Sequence, residues 1–255
     1  MDVWEQFIGS DRNLIVLDSI DSTNNYAKQL AGSVPCGTVI IADHQTAGRG
    51  RMGRSFSSPK GMGLYCSVIY QPRFSMDKLP LLTVFAAEAA RRAVLDVCGI
   101  DAGIKWINDL VYGGRKLCGI LTELTFSSSG QPDHAIVGIG INCNQLAEDF
   151  PDDIRDMAVS LRQILNRKID RAELATALLR QLDTAMEMPQ PWLSDYRSHC
   201  ITLGQDAQLV QNGQVRSAHV DGMDDSGALL VTLSDGTKER IFSGEVSVRG
   251  LYGYV

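Results

Sequence analysis

Short apolar runs bounded by turn residues constrain the fold of this chain more than any other sequence feature. These runs are rich in Val, Ile and Leu, and Gly, Pro, Asn or Asp bounds each of them. Such runs are typical of buried strands. They occupy Leu14 to Leu17, Val39 to Ile41, Leu64 to Tyr70, Leu117 to Leu124 and Ala135 to Ile141.

Helical periodicity separates some of these strands. The helical patterns are Asn24 to Ala31, opened by Ser22 or Thr23 as N-cap, then Leu79 to Val97, and Arg171 to Met188, closed by Pro189. Gly113-Gly114 joins two apolar segments and predicts a hairpin. Because strands and helices are mixed without strict alternation, we expect an α+β domain with a largely antiparallel or mixed sheet.

The pattern changes after Trp192, where short alternating runs are joined by hairpin signals. The runs are Gln208 to Val210, Val215 to Val220, Leu229 to Leu233 and Glu239 to Phe242. Near-regular spacing of this kind predicts a small β-barrel. We therefore expect one domain over residues 1–202 and a second over residues 203–255.

Composition excludes several classes of protein. The 255 residues are 44% apolar and 21% charged, which is ordinary for a globular protein, and the net charge of -6 argues against non-specific nucleic-acid binding. Six cysteines without a C-x-x-C pair indicate reduced core residues of a cytosolic protein. The N-terminus lacks the basic region of a signal peptide, and no apolar segment is long enough to span a membrane. We expect a cytoplasmic protein.

Three arginines and five glycines are concentrated between Ala42 and Gly63. Glycine allows close backbone approach, and Arg49, Arg51 and Arg54 offer planar donors for phosphate or carboxylate. The segment therefore predicts an anion-binding loop rather than a solvated basic turn. Its glycines at 48, 50 and 53 fit G-x-G-x-x-G spacing, but no helical pattern follows, so a dinucleotide fold is not expected.

Lys105-Trp106-Ile107-Asn108-Asp109 is a second conspicuous segment, followed after the hairpin turn by Arg115 to Glu123. Asn can read an amide or base edge, Asp can hold an ammonium group, and Lys116 would project a charge nearby. A plain hairpin with a solvated lysine explains this segment equally well.

Two further segments also have structural and functional interpretations. Asp18 to Asn25 predicts a helix N-cap, and the N-H donors of a helix start can face a ligand. Val137 to Asn144 is a strand interrupted by glycines, which permit close approach by a ligand or another backbone, and a simple bulge explains them equally well.

Taken together and in this order, these segments resemble the biotin protein ligase family from Leu14 to Arg249. The motifs that carry the resemblance are D-S-T-N at Asp21 to Asn24, the Gln-Thr-Ala-Gly-Arg-Gly-Arg-x-Gly-Arg loop at Gln45 to Arg54, K-W-P-N-D at Lys105 to Asp109, R-K-L-x-G-I-L at Arg115 to Leu121, and G-I-G-I-N at Gly138 to Asn142.

The resemblance implies a catalytic domain related to class II aminoacyl-tRNA synthetases, with an SH3-like C-terminal barrel. It implies that biotin and MgATP form biotinyl-5'-AMP, whose biotinyl group then passes to a lysine on the biotin-carrier domain of a carboxylase. The expected small molecules are biotin, ATP and Mg²⁺, and no residue is assigned as a metal ligand. The expected assembly is a monomer or homodimer.

The resemblance also implies roles for individual residues. Arg51 and Lys116 would hold the biotin carboxylate and the α-phosphate, while Asp109 would orient or deprotonate the acceptor lysine. Arg49 and Arg54 would steady the loop or the polyphosphate. The ureido ring would meet Ser22, Thr23, Gln45 and the backbone of Gly119, and adenine would meet Asn108 and Asn142. Further binding positions are Asn24, Gly48, Gly50, Gly53, Phe56, Lys105 and Trp106, with Glu245 and Arg249 near the ATP phosphates.

The chain departs from the family pattern in two places. Ile107 replaces proline in K-W-P-N-D, which makes the turn less rigid, and Phe56 stands where many members carry Trp. Only about a dozen residues precede the first strand, fewer than a helix-turn-helix needs, so we expect no specific DNA binding. Two alternatives are a lipoate or octanoate ligase or transferase of the same superfamily and a non-catalytic biotin-binding module.

Overall fold

The computed structural model describes residues 4, 12–71, 75–187, 189–211 and 213–242, and the backbone of Ser247–Gly250. A seven-stranded sheet with the order β1-β2-β3-β7-β6-β5-β4 dominates the described part. β1 and β2 are parallel and the other neighbours are antiparallel, which confirms the predicted mixed sheet. The strands are β1 (Leu14–Leu17), β2 (Val39–Ala42), β3 (Gly63–Tyr70), β4 (Gly103–Lys105), β5 (Asp109–Tyr112), β6 (Arg115–Phe126) and β7 (Pro132–Asn142).

The helices are α1 (Thr23–Leu30), α2 (Leu81–Cys98), α3 (Leu161–Leu165), α4 (Arg171–Glu187) and α5 (Pro189–His199). The sequence pattern predicts α1, α2 and α4 but not α5, because proline after a helical pattern signals the end of a helix. In the structure Pro189 begins a new helix, which proline tolerates because the first helical N-H has no intrahelical partner.

Strand alternation divides the helices between the two faces of the sheet. Val39 and Ile41 of β2 belong to the main core, whereas Ile40 between them packs in a smaller cluster with Ala27 of α1. The main core includes buried residues of α2, α4 and α5. Three long helices therefore cover one face, while the eight-residue α1 covers only part of the other.

Helix α2 shows how deeply the covered face is buried. Most of its residues are inaccessible, including Glu88, whose carboxylate is paired with Arg91 at 2.9 Å and Arg92 at 3.0 Å. A buried carboxylate needs such partners to remain charged. No helix in the described part of the chain is both long and apolar enough to cross a bilayer.

The C-terminal strands form a five-stranded antiparallel sheet with the order β11-β10-β9-β8-β12. This arrangement confirms the hairpin pattern that predicted a small C-terminal β unit. Its strands are β8 (Asp206–Gln211), β9 (Gln214–Met223), β10 (Leu229–Leu233), β11 (Lys238–Ile241) and β12 (Ser247–Gly250).

Trp106 joins the two sheets. Its indole Nε1 donates to the carbonyl of Gly227, in the β9–β10 turn, at 2.9 Å, and its backbone N donates to Thr202 Oγ1 at 2.9 Å. Arg197 of α5 holds the same turn by donating to Asp225 at 2.7 Å and to the Met223 carbonyl at 3.2 Å. The predicted site segment at residues 105–109 is therefore supported by the C-terminal sheet.

Replacing Trp106 with Phe is expected to lower the free energy of unfolding by about 1–3 kcal/mol, because the buried Gly227 carbonyl loses its donor. Urea unfolding measures the change. Tyr112→Phe is the matched control, since Tyr112 lies exposed on the β5–β6 hairpin and its variant should stay within about 0.5 kcal/mol of the parent. Equal stability of Trp106→Phe and the parent would contradict the role of this hydrogen bond.

Candidate functional site

A pocket of roughly 550 Å³ lies on the sheet face that α1 only partly covers. Its wall combines the start of α1, the glycine–arginine loop, the β5–β6 hairpin, β7 and the segment 150–158. The predicted site residues in this wall are Ser22, Thr23, Asn24, Gln45, Arg49, Gly50, Arg51, Arg54, Phe56, Lys105, Trp106, Asn108, Asp109, Lys116, Gly119 and Asn142.

Of the other four predicted residues, the structure fully describes only Gly48 and Gly53. Gly48 and Gly53 belong to the loop but do not line the pocket. Glu245 lies outside the described residues, and Arg249 is described only as backbone of β12. Their predicted binding roles stay predictions.

The floor of the pocket is a strand surface without side chains. The pairing of β7 with β3 and β6 is regular at Gly138 and Gly140, so the glycines do not form a bulge. A Cβ at Gly140 would lie 2.6 Å from the Phe56 ring, and one at Gly138 would overlap Asn24 Oδ1. The bulge interpretation is therefore wrong, and the groups that approach the glycines are the side chains of Phe56 and Asn24; close approach by a ligand stays a prediction.

Gln45, and not Ser22, caps α1. Ser22 occupies the N-cap position, but its side chain makes no capping hydrogen bond. Instead, Gln45 Oε1 accepts from the backbone N of Thr23 at 2.9 Å and from its hydroxyl at 3.2 Å, while Gln45 Nε2 donates to Ser58 at 2.8 Å. The helix start and the loop therefore form one polar unit in the pocket wall.

The glycine–arginine loop folds back on itself as a narrow turn. Phe56 N donates to the Gly48 carbonyl at 2.8 Å, and Gly50 N donates to the Arg54 carbonyl at 2.7 Å. Only a three-residue helical turn, Arg51–Gly53, lies inside the loop. A dinucleotide fingerprint would open an α-helix here, so the expectation against a dinucleotide fold is confirmed.

The loop arginines Arg49 and Arg51 form hydrogen bonds with different partners. Arg51 Nη1 donates to Asn108 Oδ1 at 3.0 Å, whereas Arg49 Nη1 donates to Asn25 at 2.8 Å and to Glu123 at 3.1 Å. Burial lowers the pKa of Arg51, although the nearby Asp109 carboxylate opposes the shift. A guanidinium remains charged despite such a shift.

Asp109 and Lys116 meet across the β5–β6 hairpin. Lys116 Nζ donates to Asp109 Oδ1 at 2.6 Å, and Asn108 Nδ2 donates to the same oxygen at 3.1 Å. A Cβ at Gly119 would lie 3.0 Å from Lys116 Cε, so the bare glycine makes room for the lysine. Lys116 is therefore paired in the pocket wall and not fully solvated, and its role in binding stays a prediction.

The amide of Asn142 is bonded mainly to the backbone. Its Nδ2 donates to the carbonyls of Lys116 at 3.3 Å and Val159 at 3.2 Å, and its Oδ1 accepts from Gln145 at 3.4 Å. These bonds fix its orientation at the pocket wall. The predicted contact with adenine stays a prediction.

Sequence reasoning missed an apolar part of the pocket. Phe150, Ile154, Met157 and Ala158 line the wall near Asn142. They are scattered through an acidic segment without strand or helix periodicity. One feature of the sequence does point to this part of the wall, because apolar residues recur there in a stretch otherwise rich in Asp.

The cysteines are free thiols, but one of them is not a core residue. Cys66, Cys98, Cys118, Cys143 and Cys200 are buried, whereas Cys36 is exposed between Pro35 and Gly37. Burial raises the pKa of Cys66 and of Cys143 to about 12. These two side chains therefore remain thiols near neutral pH and are poor nucleophiles.

Two known protein families match the chain. Residues 16–142 match the Biotin/lipoate A/B protein ligase family, and residues 202–249 match the Biotin protein ligase C terminal domain. The first match spans the start of α1, the loop, the β5–β6 hairpin and β7. The second begins where the C-terminal sheet begins.

Individual proteins that are similar to the chain carry names from the same family. The chain is 36% identical over 243 residues to the Bifunctional ligase/repressor BirA of Bacillus subtilis, covering 93% of this chain and 74% of that protein. It is 32% identical over 231 residues to the biotin–acetyl-CoA-carboxylase ligase of Paracoccus denitrificans, covering 85% and 92%. The biotin protein ligase from Aquifex aeolicus in complex with biotin and ATP superposes with a TM-score of 0.79 at 32% identity, covering 93% and 99%.

The loop over residues 48–63 is expected to be cut by protease more slowly when biotin and ATP are both present. Glycine-rich backbone has high conformational freedom, and a bound anion would reduce it by engaging the arginines. Limited proteolysis followed by mass spectrometry measures the rate at each bond. Equal cleavage with and without both ligands would contradict this prediction.

Proposed function

This chain belongs to the biotin protein ligase family, and we propose that its pocket activates biotin with ATP and passes the biotinyl group to a protein lysine. It is an ATP-dependent biotin–acetyl-CoA-carboxylase ligase. The observation that carries the proposal is the convergence of Arg51, Lys116 and Asp109 in one pocket with the polar unit of Thr23 and Gln45.

In the first half-reaction a biotin carboxylate oxygen attacks the α-phosphorus of ATP, and the bond from that phosphorus to pyrophosphate breaks. Negative charge increases around the α-phosphate, and both reactants are anions. Arg51 and Lys116 would hold the carboxylate and phosphate oxygens. Donors fixed in advance within a partly desolvated site stabilise such charge better than water does.

In the second half-reaction the acceptor amine attacks the acyl carbon of the mixed anhydride. A C–N bond forms, the acyl C–O bond breaks, and AMP leaves. Asp109 would hold the incoming lysine ammonium and accept its proton. The Lys116–Asp109 ion pair holds this carboxylate inside the pocket until the amine arrives.

The polar unit beside α1 is suited to the ureido ring. A cyclic urea offers N-H donors and a carbonyl acceptor, and Ser22, Thr23, Gln45 and the Gly119 backbone supply matching groups. Asn24 and Phe56 lie directly against Gly138 and Gly140, so the flat ring would rest beside these side chains. Phe56 would give the rest of biotin an apolar wall.

The pocket near β7 is suited to adenine. Phe150, Ile154 and Met157 provide an apolar surface for a base, and Asn108 and Asn142 provide amides at its edge. Lys105 and Trp106 would complete the wall near the sugar and phosphates, with Gly50 and Arg54 in the loop above them. Glu245 and Arg249 would act near the ATP phosphates.

Mg²⁺ would arrive with the nucleotide. The described residues contain no group of three His, Cys, Asp or Glu side chains arranged to hold a metal ion, and Asp109, in the pocket wall, is engaged by Lys116. Because Mg²⁺ is often held mainly by substrate phosphates and water, we propose that the triphosphate is its principal ligand.

Two alternatives are weaker. A lipoate or octanoate ligase would share the sheet and the adenylate chemistry, but the match to a biotin protein ligase C-terminal domain favours biotin. A module that only sequesters biotin would need neither Lys116 nor Asp109 beside Arg51. The ion pair at 2.6 Å in the pocket wall therefore favours an enzyme.

The acceptor is proposed to be the biotin-carrier domain of a carboxylase. We further propose a cytoplasmic protein, supported by its free buried cysteines, acting as a monomer or homodimer. The proposed domain boundary after residue 202 is supported by the second family match, which begins there.

Incubation with biotin, MgATP and a biotin-carrier domain is expected to add one biotinyl group to the acceptor. Intact-mass measurement detects the product. Omitting ATP is the control, and lipoate or octanoate in place of biotin should give no modification. Transfer of lipoate or octanoate in preference to biotin would identify the alternative enzyme, and no transfer of any acid would contradict the proposal.

Arg51→Ala and Lys116→Ala are each expected to slow pyrophosphate release by about 10²–10³-fold, the usual loss on removing one preorganised donor of this kind. Their affinity for biotin should fall much less, because the charge that they stabilise develops mainly during the reaction. Calorimetry measures binding and a coupled assay measures pyrophosphate. Normal release by either variant would contradict its assigned role.

The protein described by this sequence is expected not to bind DNA specifically, even with biotin and ATP present. Its net charge of -6 disfavours the phosphate contacts that supply much of DNA affinity. Titration against its own promoter DNA near physiological salt tests this. A sequence-specific complex tighter than about 10⁻⁶ M, the strong end of ordinary non-specific binding, would contradict it.

A further inference from the structure

Glu123 of β6 accepts hydrogen bonds from donors on two other elements, α1 and the glycine–arginine loop. One oxygen, Oε2, accepts from Asn24 Nδ2 at 3.0 Å and from Arg49 Nη1 at 3.1 Å. The other oxygen pairs with Lys28 at 3.0 Å and with Arg49 at 3.0 Å. The carboxylate thereby connects α1, the glycine–arginine loop and the central sheet.

The partners keep this carboxylate charged although it is mostly buried. Its side chain is 19% exposed. Burial alone would raise its pKa, but hydrogen bonds from Asn24 and Lys28 and the charges of Lys28 and Arg49 hold the pKa of Glu123 below its usual value. A buried carboxylate without such partners would be costly, so the cluster is complete without any ligand.

Arg49 is engaged differently from Arg51. Its guanidinium contacts Glu123 and Asn25, which lie on β6 and α1, whereas Arg51 contacts Asn108 beside the Asp109–Lys116 pair. Arg49 therefore attaches the loop to α1 and β6, whereas Arg51 lies where the biotin carboxylate and the α-phosphate would come together. Both side chains line the same pocket.

Asn24 carries the effect of Glu123 into the biotin end of the pocket. Its Nδ2 also donates to the Leu121 carbonyl at 3.1 Å, and its Oδ1 accepts from Ser67 at 2.7 Å. Ser67 Oγ lies 2.8 Å from Thr23 Oγ1, and the backbone N of Thr23 donates to Gln45 Oε1 at 2.9 Å. A continuous hydrogen-bonded chain therefore runs from Glu123 to the groups proposed to bind the ureido ring.

We propose that Glu123 is a positioning residue for biotin, and that Arg49 acts through it as an anchor of the loop and not as a ligand of the polyphosphate. The inference rests on the proposed function, since it assigns the origin of biotin affinity in that same pocket. Removing the anchor lets the loop leave the start of α1. Biotin then binds more weakly, while Arg51, held by Asn108, and Lys116 still act on biotin once it is bound.

A double-mutant cycle of Glu123→Gln and Arg49→Met tests this coupling. Each single variant should raise the biotin Kd by about tenfold, equal to about 1.4 kcal/mol. The double variant should be no worse than either single one, because both remove the same contact. The Michaelis constant for ATP and the turnover number for pyrophosphate release at saturating biotin should stay within about twofold.

Lys28→Met is the matched control. Lys28 bonds the same carboxylate at 3.0 Å but lies on α1, outside the pocket wall. Its removal takes one charge from Glu123 without releasing the loop. Biotin Kd should therefore stay within about twofold, even if thermal unfolding shows a lower midpoint.

The possible results of these experiments distinguish a failure of this inference from a failure of the proposed function. A parent protein that neither binds nor transfers biotin would overturn the proposed function, and the inference with it. A functional parent whose two variants have additive effects, or unchanged biotin Kd, would overturn the inference alone. A large rise in the Michaelis constant for ATP in the Arg49→Met variant would also overturn the inference. This variant alone provides the test even if Glu123→Gln does not fold.

Discussion

The absence of side chains at two positions of β7, Gly138 and Gly140, is the constraint on which the site depends. Gly138 and Gly140 have the regular strand pairing of their neighbours, yet any Cβ there would collide with Asn24 or Phe56. The strand therefore provides a floor that other groups can approach closely. Because α1 is short and covers only part of this face, the rest of the floor remains available to the pocket.

Cationic side chains in the pocket wall are paired with carboxylates or amides. The chain has a net charge of -6, yet the pocket wall contains Arg49, Arg51, Arg54, Lys105 and Lys116. Lys116 is matched with Asp109, Arg49 with Glu123, and Arg51 with the amide of Asn108. Such partners lower the cost of holding cations together, and a bound phosphate can replace some of them when the reaction requires it.

Local patterns predicted much of this structure, and long-range partners accounted for what they missed. The apolar runs and the Gly113-Gly114 turn placed β5, β6 and β7, and ordered motifs identified most of the pocket wall. The capping of Thr23 by Gln45 and the cluster at Glu123 join residues far apart in sequence, which periodicity cannot show. Cys36 was assigned to the core from composition, but its turn lies on the surface.

In the proposed mechanism the biotin carboxylate itself attacks the α-phosphorus of ATP. Biotin labelled with oxygen-18 in both carboxylate oxygens tests this step through a single mass measurement on AMP after complete transfer to the acceptor. We expect AMP carrying one labelled oxygen, because the oxygen that bridges carbon and phosphorus stays with phosphorus when the amine attacks the acyl carbon. Unlabelled AMP, with the label in phosphate or pyrophosphate, would contradict it.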